Sequence, residues 1–324
     1  MKNALLFATG FALTATMFFS CKKNDTVTPI STVQSTKAFI EKYSPATQKF
    51  TFNVSSLPQT LSLQSGTKLT IPQGAFTVDG RPATGSITVE VMEMMNRSSL
   101  VRAGVNTNHI SGLPLVSQGS FFFDAKVNGV DADRRLAELV EFKVPAKDAD
   151  FTQIWIGRED TLAGRDALQF GWDQPVRRQG VNLEVKKSEG NFIFNFGSLG
   201  WINCDVFYSY SNPKTTVRVA LQNNPGTLAS FRANTGETYV YFCAKGSNVV
   251  AQFYYPDGPN GAKSYDNSMP IGVEGRLISF SIKNGQFFLA KKDITISANQ
   301  QETLVLAPST ESAIQSEIDA LSNL

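Results

Sequence analysis

Arg276-Leu277-Ile278-Ser279-Phe280-Ser281-Ile282, then Lys283-Asn284-Gly285, then Gln286-Phe287-Phe288-Leu289-Ala290 is a pair of apolar runs of strand length around an Asn-Gly dipeptide. Asn-Gly tolerates positive φ at both residues, which gives a two-residue turn the twist of the strands it joins, so the stretch reads as a β-hairpin. Val78-Asp79-Gly80-Arg81-Pro82 and Val127-Asn128-Gly129-Val130 carry similar turn signals. Outward from these, Ser86-Ile87-Thr88-Val89-Glu90-Val91-Met92 alternates, with Ile87, Val89 and Val91 on one face and Thr88, Glu90 and Met92 on the other. Period two dominates from Phe50 onward and helical spacing is nearly absent. The exception is the end of the chain, where Pro308-Ser309 can start a helix, Glu311 suits its positive first turn, and Ile314, Ile318 and Leu321 share a stripe. The expected fold class is all-β: two β-sandwich-like domains with a short C-terminal α-helix packed on a sheet.

The first twenty residues have a basic start at Lys2, an apolar stretch from Ala4 to Phe19, and small Ser20 before Cys21. This is the layout of a secretory signal, too short to span a bilayer comfortably. Phe18-Phe19-Ser20-Cys21 resembles a bacterial lipobox, with Phe18 where that family prefers leucine. The resemblance implies cleavage before Cys21 and lipidation of its thiol; an ordinary signal peptide cut nearby is the alternative. Several acyl chains on one cysteine would hold the protein to a membrane far more firmly than one. Lys22-Lys23-Asn24-Asp25 is similar to the Lys-plus-acid signal that directs such lipoproteins to the outer face, without its second acid. The expected organisation is a signal peptide over 1–20, a lipidated tether over 21–46, a β-sandwich-like domain with an extension over 47–200, and a second over 201–324 that includes the helix. The tether is rich in Ser, Thr, Val and Pro. Its one helical candidate, Lys37 to Tyr43, could dock on the first domain through Ala38, Phe39, Ile40 and Tyr43. Gly197, Gly200, Asn212 and Pro213 mark the break between domains.

Charged residues make up 18% of the 324, hydrophobic ones 42%, and the net charge is +2. That balance suits a folded chain and offers no basic surface to nucleic acid, so no nucleic-acid partner is expected. After the leader every apolar run is broken within a few residues by charge, glycine or proline, which leaves a lipid anchor as the expected tie to the membrane.

Gly66-Thr67-Lys68-Leu69-Thr70-Ile71-Pro72-Gln73-Gly74-Ala75-Phe76, followed by Gly85-Ser86-Ile87-Thr88-Val89-Glu90-Val91, resembles the opening of the β-sandwich domain shared by zonula-occludens proteins, ankyrins and netrin receptors. Leu199-Gly200-Trp201-Ile202-Asn203-Cys204-Asp205, the Lys214-Thr215-Thr216-Val217-Arg218-Val219 run and the final helix together resemble a broad group of Bacteroidota cell-surface lipoproteins. The two resemblances imply a β-rich surface protein on the outer membrane and bring no catalytic residues.

His109 is the only histidine, which restricts histidine-based catalysis to one base. His109-Ile110-Ser111 has the His-x-Ser spacing at which some relatives of the zonula-occludens-type domain cleave themselves; those relatives carry it nearer the domain's end, and an inert surface histidine is expected here. One histidine and two cysteines beyond Cys21 do not make a zinc site, so no metal and no cofactor are expected. Asp148, Asp150, Thr152 and Glu159 fall at calcium-loop spacing, but Gln153 replaces the required glycine and the segment reads as a strand. Gly258 to Ser264 has the flavour of a phosphate loop, with Ala262 where glycine should precede Lys263 and prolines on both sides. Glu90 and Glu93, a candidate acid/base pair for sugar hydrolysis, point to opposite faces of an alternating strand and read as two solvated carboxylates.

Cys204 and Cys243 either form a disulfide or stand as buried free thiols. Among the aromatics, Phe253-Tyr254-Tyr255-Pro256 and Tyr239-Val240-Tyr241-Phe242 could offer flat rings to a ligand, while most of the 24 phenylalanines must fill cores. Tyr254 and Tyr255 are the ligand-binding candidates, with one ring facing the core and its neighbour outward. The sequence favours a non-enzymatic envelope or surface lipoprotein for adhesion, ligand capture or envelope structure, with a glycan or protein as ligand. The runner-up is a glycan-binding accessory lipoprotein of a polysaccharide-uptake system. An envelope hydrolase comes third, since no base and nucleophile constellation supports it.

Overall fold

The turn dipeptides sit at hairpin tips with the backbone they favour. Asp79 and Gly80, Asn128 and Gly129, and Asn284 and Gly285 all have positive φ, and each pair joins antiparallel neighbours: Val78 to Arg81, Val127 to Val130, and Lys283 to Gln286. The computed structural model describes residues 33–146, 152–161, 168–175, 184–208 and 211–324. The protein is all-β, with several sandwich-like sheets and a short C-terminal helix.

Four main sheets are present among the described residues. Sheet I runs in the order Lys186–Ser188, Asn191–Ser198, Arg135–Pro145, Lys68–Ile71, Gln59–Ser62. Sheet II runs Gln48–Asn53, Ser86–Met94, Leu115–Val127, Gly200–Phe207, Gln153–Thr161, Leu168–Asp173. Between them lies the first core, where Ile87, Val89, Val91, Phe121, Phe123, Phe142, Phe194 and Ile202 pack together. Sheet III runs Val250–Gln252, Thr238–Ala244, Glu274–Lys283, Gln286–Thr295, Ala307–Ser309. Sheet IV runs Tyr255–Pro256, Gly261–Lys263, Arg218–Gln222, Gln301–Val305, with its last pair parallel. Val219, Leu221, Val240, Phe242, Leu277 and Leu304 fill the core between III and IV.

The strand boundary differs from the expected break at 200. Gly200–Phe207 pairs with both Leu115–Val127 and Gln153–Thr161 inside sheet II, so it belongs to the first sandwich. Nor does the chain separate into two independent sandwiches: Thr32–Leu324 is one compact unit. A third core joins the outer face of sheet III (Tyr239, Tyr241, Cys243, Ile278, Phe280, Ile282) to the far face of sheet II (Met94, Trp155, Phe170, Trp172). Thr238–Ala244 is therefore buried at every residue, with odd-numbered side chains in the middle core and even-numbered apolar ones in the last. A strand covered on both faces has no polar side to show in its sequence, and Tyr239-Val240-Tyr241-Phe242 is that strand rather than a platform for rings.

Helices fill the rest of the middle core. Helix α1 (Thr36–Tyr43) is capped by the Ser35 hydroxyl, which accepts from the Ala38 N–H at 3.1 Å. It buries Thr36, Phe39 and Ile40. Phe39 packs on Phe280 with ring centroids 5.8 Å apart, and the Ile282 N–H donates to Thr36 Oγ1 at 2.9 Å. The segment expected to be a free tether is thus fixed from Val33 onward, and on sheet III rather than on the first sandwich, because its apolar side completes the middle core. Helix α2 (Arg97–Arg102) follows Ser86–Met94 directly. Helix α3 (Glu311–Ala320) starts one residue later than Pro308-Ser309 suggested, with the Thr310 hydroxyl accepting from the Ala313 N–H, and buries Ile314 and Ile318 in the same core.

Candidate functional site

Between α2 and the strand beginning at Leu115, the chain leaves sheet II, runs against Val250 and Gln252 of sheet III, and returns to sheet II. Its polar run Asn106-Thr107-Asn108, which the sequence presents as a loop, is almost wholly buried. The Asn108 side-chain amide donates to the Gln252 carbonyl at 3.0 Å, and its Oδ1 accepts from the Gln252 N–H at 2.9 Å. Asn106 Nδ2 donates to Phe170 O and to Gln252 Oε1, both at 3.1 Å, while Trp172 Nε1 donates to Asn106 O at 2.7 Å. Thr107 and Val250 exchange main-chain and hydroxyl bonds. These residues form a polar strap that ties sheet II to sheet III, and full pairing is what makes so many buried amides tolerable. Asparagines scattered in an unpatterned stretch give no sequence signal for this role.

At its end the strap turns sharply through His109 to Gly112. The Gly112 N–H donates to His109 O at 2.7 Å, and the His109 N–H donates to Leu113 O at 2.9 Å. Gly112 has φ +83, and a Cβ there would lie 2.0 Å from Tyr265 Cγ, so the ring of Tyr265 rests directly on the glycine. The imidazole edge packs against Trp155 and Phe207, with centroids 5.2 and 5.1 Å away. Its Nδ1 accepts from the Ser111 N–H at 3.1 Å and lies 2.7 Å from Ser111 Oγ. Burial against these rings lowers the His109 pKa below its ordinary value, only partly offset by the charge of Asp173. The His-x-Ser pair is thus in contact, but the acid nearby does not orient the ring: Asp173 is held by Arg158 at 2.5 Å and by the Gln174 N–H at 2.8 Å. Nδ1, the acceptor of a main-chain N–H, serves the turn.

Tyr254 and Tyr255 divide as alternation requires, one buried at 2% exposure and one half-buried, with ring centroids 4.9 Å apart. Tyr255 in turn meets Tyr265 edge to face at 5.6 Å, and Tyr265 is 41% exposed. The exposed member of the aromatic group is therefore Tyr265, ten residues downstream, which no local pattern singled out. Its carbonyl accepts from the hydroxyls of Ser264 and Ser268, each at 2.9 Å. Ile110, also 41% exposed, projects from the same turn that supports the ring. Tyr255 and Tyr265 make an apolar ledge over the turn that also carries Ile110.

Other candidates fall elsewhere. Cys21 and its lipobox lie outside the described residues, as do Asp148 and Asp150. Thr152 is buried, and Gln153–Thr161 is the strand anticipated in place of a calcium loop. Cys204 and Cys243 are both free and buried, the first in the core of the first sandwich and the second in the middle core, so they form no disulfide. Burial pushes each thiol up to about 12, which makes them poor nucleophiles. Glu90 and Glu93 do face opposite sides, but only Glu90 is partly solvated, beside Lys49. Glu93 is buried, accepting from Gln48 Nε2 at 2.7 Å and from the Ser65 N–H at 3.1 Å, so it is a structural anchor rather than a second solvated carboxylate. Lys263 pairs with Asp266 at 2.7 Å and sits in a short strand, not a phosphate cradle. Among the described residues no three His, Cys, Asp or Glu side chains gather to hold a metal, and no helix is long and apolar enough to cross a membrane.

No family model matches the chain, and no curated protein is significantly similar to it.

Proposed function

We propose that this protein is a non-enzymatic lipoprotein of the bacterial envelope, anchored to the outer membrane through Cys21, that captures a glycan on the Tyr255–Tyr265 ledge. The observation that carries the reading is the ledge itself. Two rings and Ile110 stand at the surface, yet the turn beneath them is fixed by a buried polar strap and by the contact of Tyr265 with Gly112. Loops that bind are those a rigid frame presents, and a tyrosine offers an apolar face with a polar tip at little entropic cost. Sugar rings carry apolar C–H faces and hydroxyl rims that match such a surface. The anchor rests on the leader and its cysteine boundary, and the resemblance to cell-surface lipoproteins points to the same location.

Tyr265→Ala should remove at least tenfold of the affinity for any glycan found by array screening, while shifting stability by no more than about 1 kcal/mol, as for a surface ring. Undiminished glycan binding by Tyr265→Ala and Tyr255→Ala alike would place the site elsewhere. For the anchor, fatty-acid labelling in cells should mark the wild type and miss Cys21→Ser, and equal labelling would exclude it.

A further inference from the structure

At the corner where the chain passes from sheet I to sheet II, the strand Asn191–Ser198 ends and Gly200–Phe207 begins with only Leu199 between them. The register slips between Phe196 and Ser198, a bulge that opens the edge of the sheet beside Arg135. The corner borders an open pocket of about 230 Å³ lined by Arg134, Arg135, Ile156, Ser198, Leu199 and Trp201. It lies on the first sandwich, apart from the aromatic ledge.

Its chemistry is one-sided. Arg134 and Arg135 are both exposed, and among the described residues neither has a carboxylate partner. The nearest acid in sequence, Asp133, is occupied: it accepts from Thr77 Oγ1 at 2.6 Å, from the Gly80 N–H at 2.9 Å and from the Asp79 N–H at 3.0 Å. Arg158 and Arg276, by contrast, are neutralised by Asp173 and Asp293. The Arg134 guanidinium is also placed by the fold. Its Nη2 lies 3.2 Å from where a Cβ on Gly200 would stand, so it occupies the space that glycine, with φ +119, leaves open. The rest of the lining is largely apolar, with Ile156, Leu199 and Trp201; the Trp201 ring is half-buried, packed on Phe122, Phe170 and Phe231 at 4.8, 5.6 and 5.6 Å with the Arg232 guanidinium 6.0 Å from its centre.

Two guanidinium forks without carboxylate partners, on the lining of a pocket shared with Ile156, Leu199 and Trp201 and sized for one ring, select a planar anion carried on a compact ring. We infer that this pocket binds the carboxylate of a uronic acid residue, with the arginines gripping the carboxylate and the sugar ring lying toward Trp201. Arginine favours this pairing because its planar fork matches a carboxylate in two parallel hydrogen bonds. A pocket below the usual 300–1,000 Å³ of drug-sized ligand sites suits a single monosaccharide unit, with any further units outside.

The site does not depend on the ledge, and the test keeps them separate. Glucuronic acid is titrated into the full chain and followed by tryptophan fluorescence and calorimetry, with glucose, acetate and glucose 6-sulfate in parallel. Glucuronic acid should bind saturably, glucose at least tenfold more weakly, and Arg134→Gln and Arg135→Gln should each weaken glucuronic acid at least tenfold without moving the melting temperature. Tyr265→Ala should leave this binding unchanged. Acetate binding as tightly as glucuronic acid would reduce the pocket to an adventitious ion site only, and glucose 6-sulfate binding more tightly would overturn the preference for a planar group. Absence of saturable glucuronic acid binding, or its survival in the double arginine variant, would overturn the proposal outright.

Discussion

Tyr239–Tyr241 and Tyr255–Tyr265 are two tyrosine pairs at similar ring separations, 5.1 and 5.6 Å, with opposite roles. The first pair stacks in the middle core with both rings inaccessible, and burial raises both phenol pKa values. The second meets edge to face at the surface, with Tyr265 open to solvent. What separates them is the layer beyond. The outer face of sheet III would be a solvated sandwich surface if the sandwiches stood alone, but α1, α3 and sheet II cover it. Sheet IV and the loop around Tyr265 have no such cover over the ledge. A ring's role here is decided by which sheet it belongs to and what lies over that sheet, not by its neighbours in sequence.

The comparison breaks most readily at Tyr239. Its ring packs on Tyr241 and Phe280, and its hydroxyl donates to Ser230 O at 3.3 Å. Tyr239→Ala should cost about 3–5 kcal/mol, the range for deleting a large buried aromatic, read as a lowered denaturant midpoint. A loss no larger than that of Tyr265→Ala would mean that the middle core is not a stabilising core and that the sandwiches are loosely joined.

Next comes the strap that holds the two sandwiches in register. Asn108→Ala removes both bonds to the Gln252 backbone and strands a buried N–H and C=O, at about 1–3 kcal/mol for each unsatisfied group. An expected loss of about 2–4 kcal/mol should be accompanied by faster amide exchange at Gln252. Ser111→Ala, at the exposed end of the same loop, should change stability by no more than about 0.5 kcal/mol. Equal effects would show that the buried and exposed ends of the loop are not mechanically distinct.

These differences mark where the sequence could be read. Hairpin tips were legible because Asn-Gly and Asp-Gly encode a backbone angle locally, and the strand at 86–90 was legible because one face meets a core and the other is partly open to water, whereas Met92, on that second face, is buried in the middle core. The middle core was not legible, because a strand buried on both sides loses its alternation: Thr238–Ala244 reads as a plain apolar run. For the same reason the docking of Phe39 and Ile40 on sheet III was hidden in a segment whose composition suggests a tether. At the candidate site the Tyr254–Tyr255 alternation was legible, but Tyr265 was not, since it reaches the ledge through a tertiary contact with Gly112. Which of the two alternatives Cys204 and Cys243 take, a disulfide or the buried free thiols observed, was not legible for a comparable reason, since strand assignments alone do not say that two strands face different cores.

The smallest expected effect is a pH dependence at His109, which sharpens the contrast between the strap's buried and exposed ends. The ring is half-buried against Trp155 and Phe207, and its Nδ1 accepts from Ser111, so protonation would place a proton on a nitrogen already facing a donor. The charge nearest is Asp173, itself paired with Arg158; it favours the protonated ring but only partly offsets burial. Since the folded pKa is lowered from 6.5, the unfolded chain binds more protons as the pH falls through that range. Stability from the neutral ring is therefore complete above about 6.5 and is lost as pH falls through the folded value. His109→Asn keeps an acceptor for the Ser111 N–H and cannot titrate. Between pH 7.5 and 5 the wild type should lose stability relative to this variant, by less than about 1 kcal/mol because solvent screens a half-exposed ring. Asp133, Asp266, Glu274 and Asp293, all lowered by their hydrogen-bond partners, contribute to acid loss in both proteins, so the difference isolates His109. Parallel melting curves across that range would mean that the imidazole is solvated after all and that the turn beneath Tyr265 is not the fixed support the ledge requires.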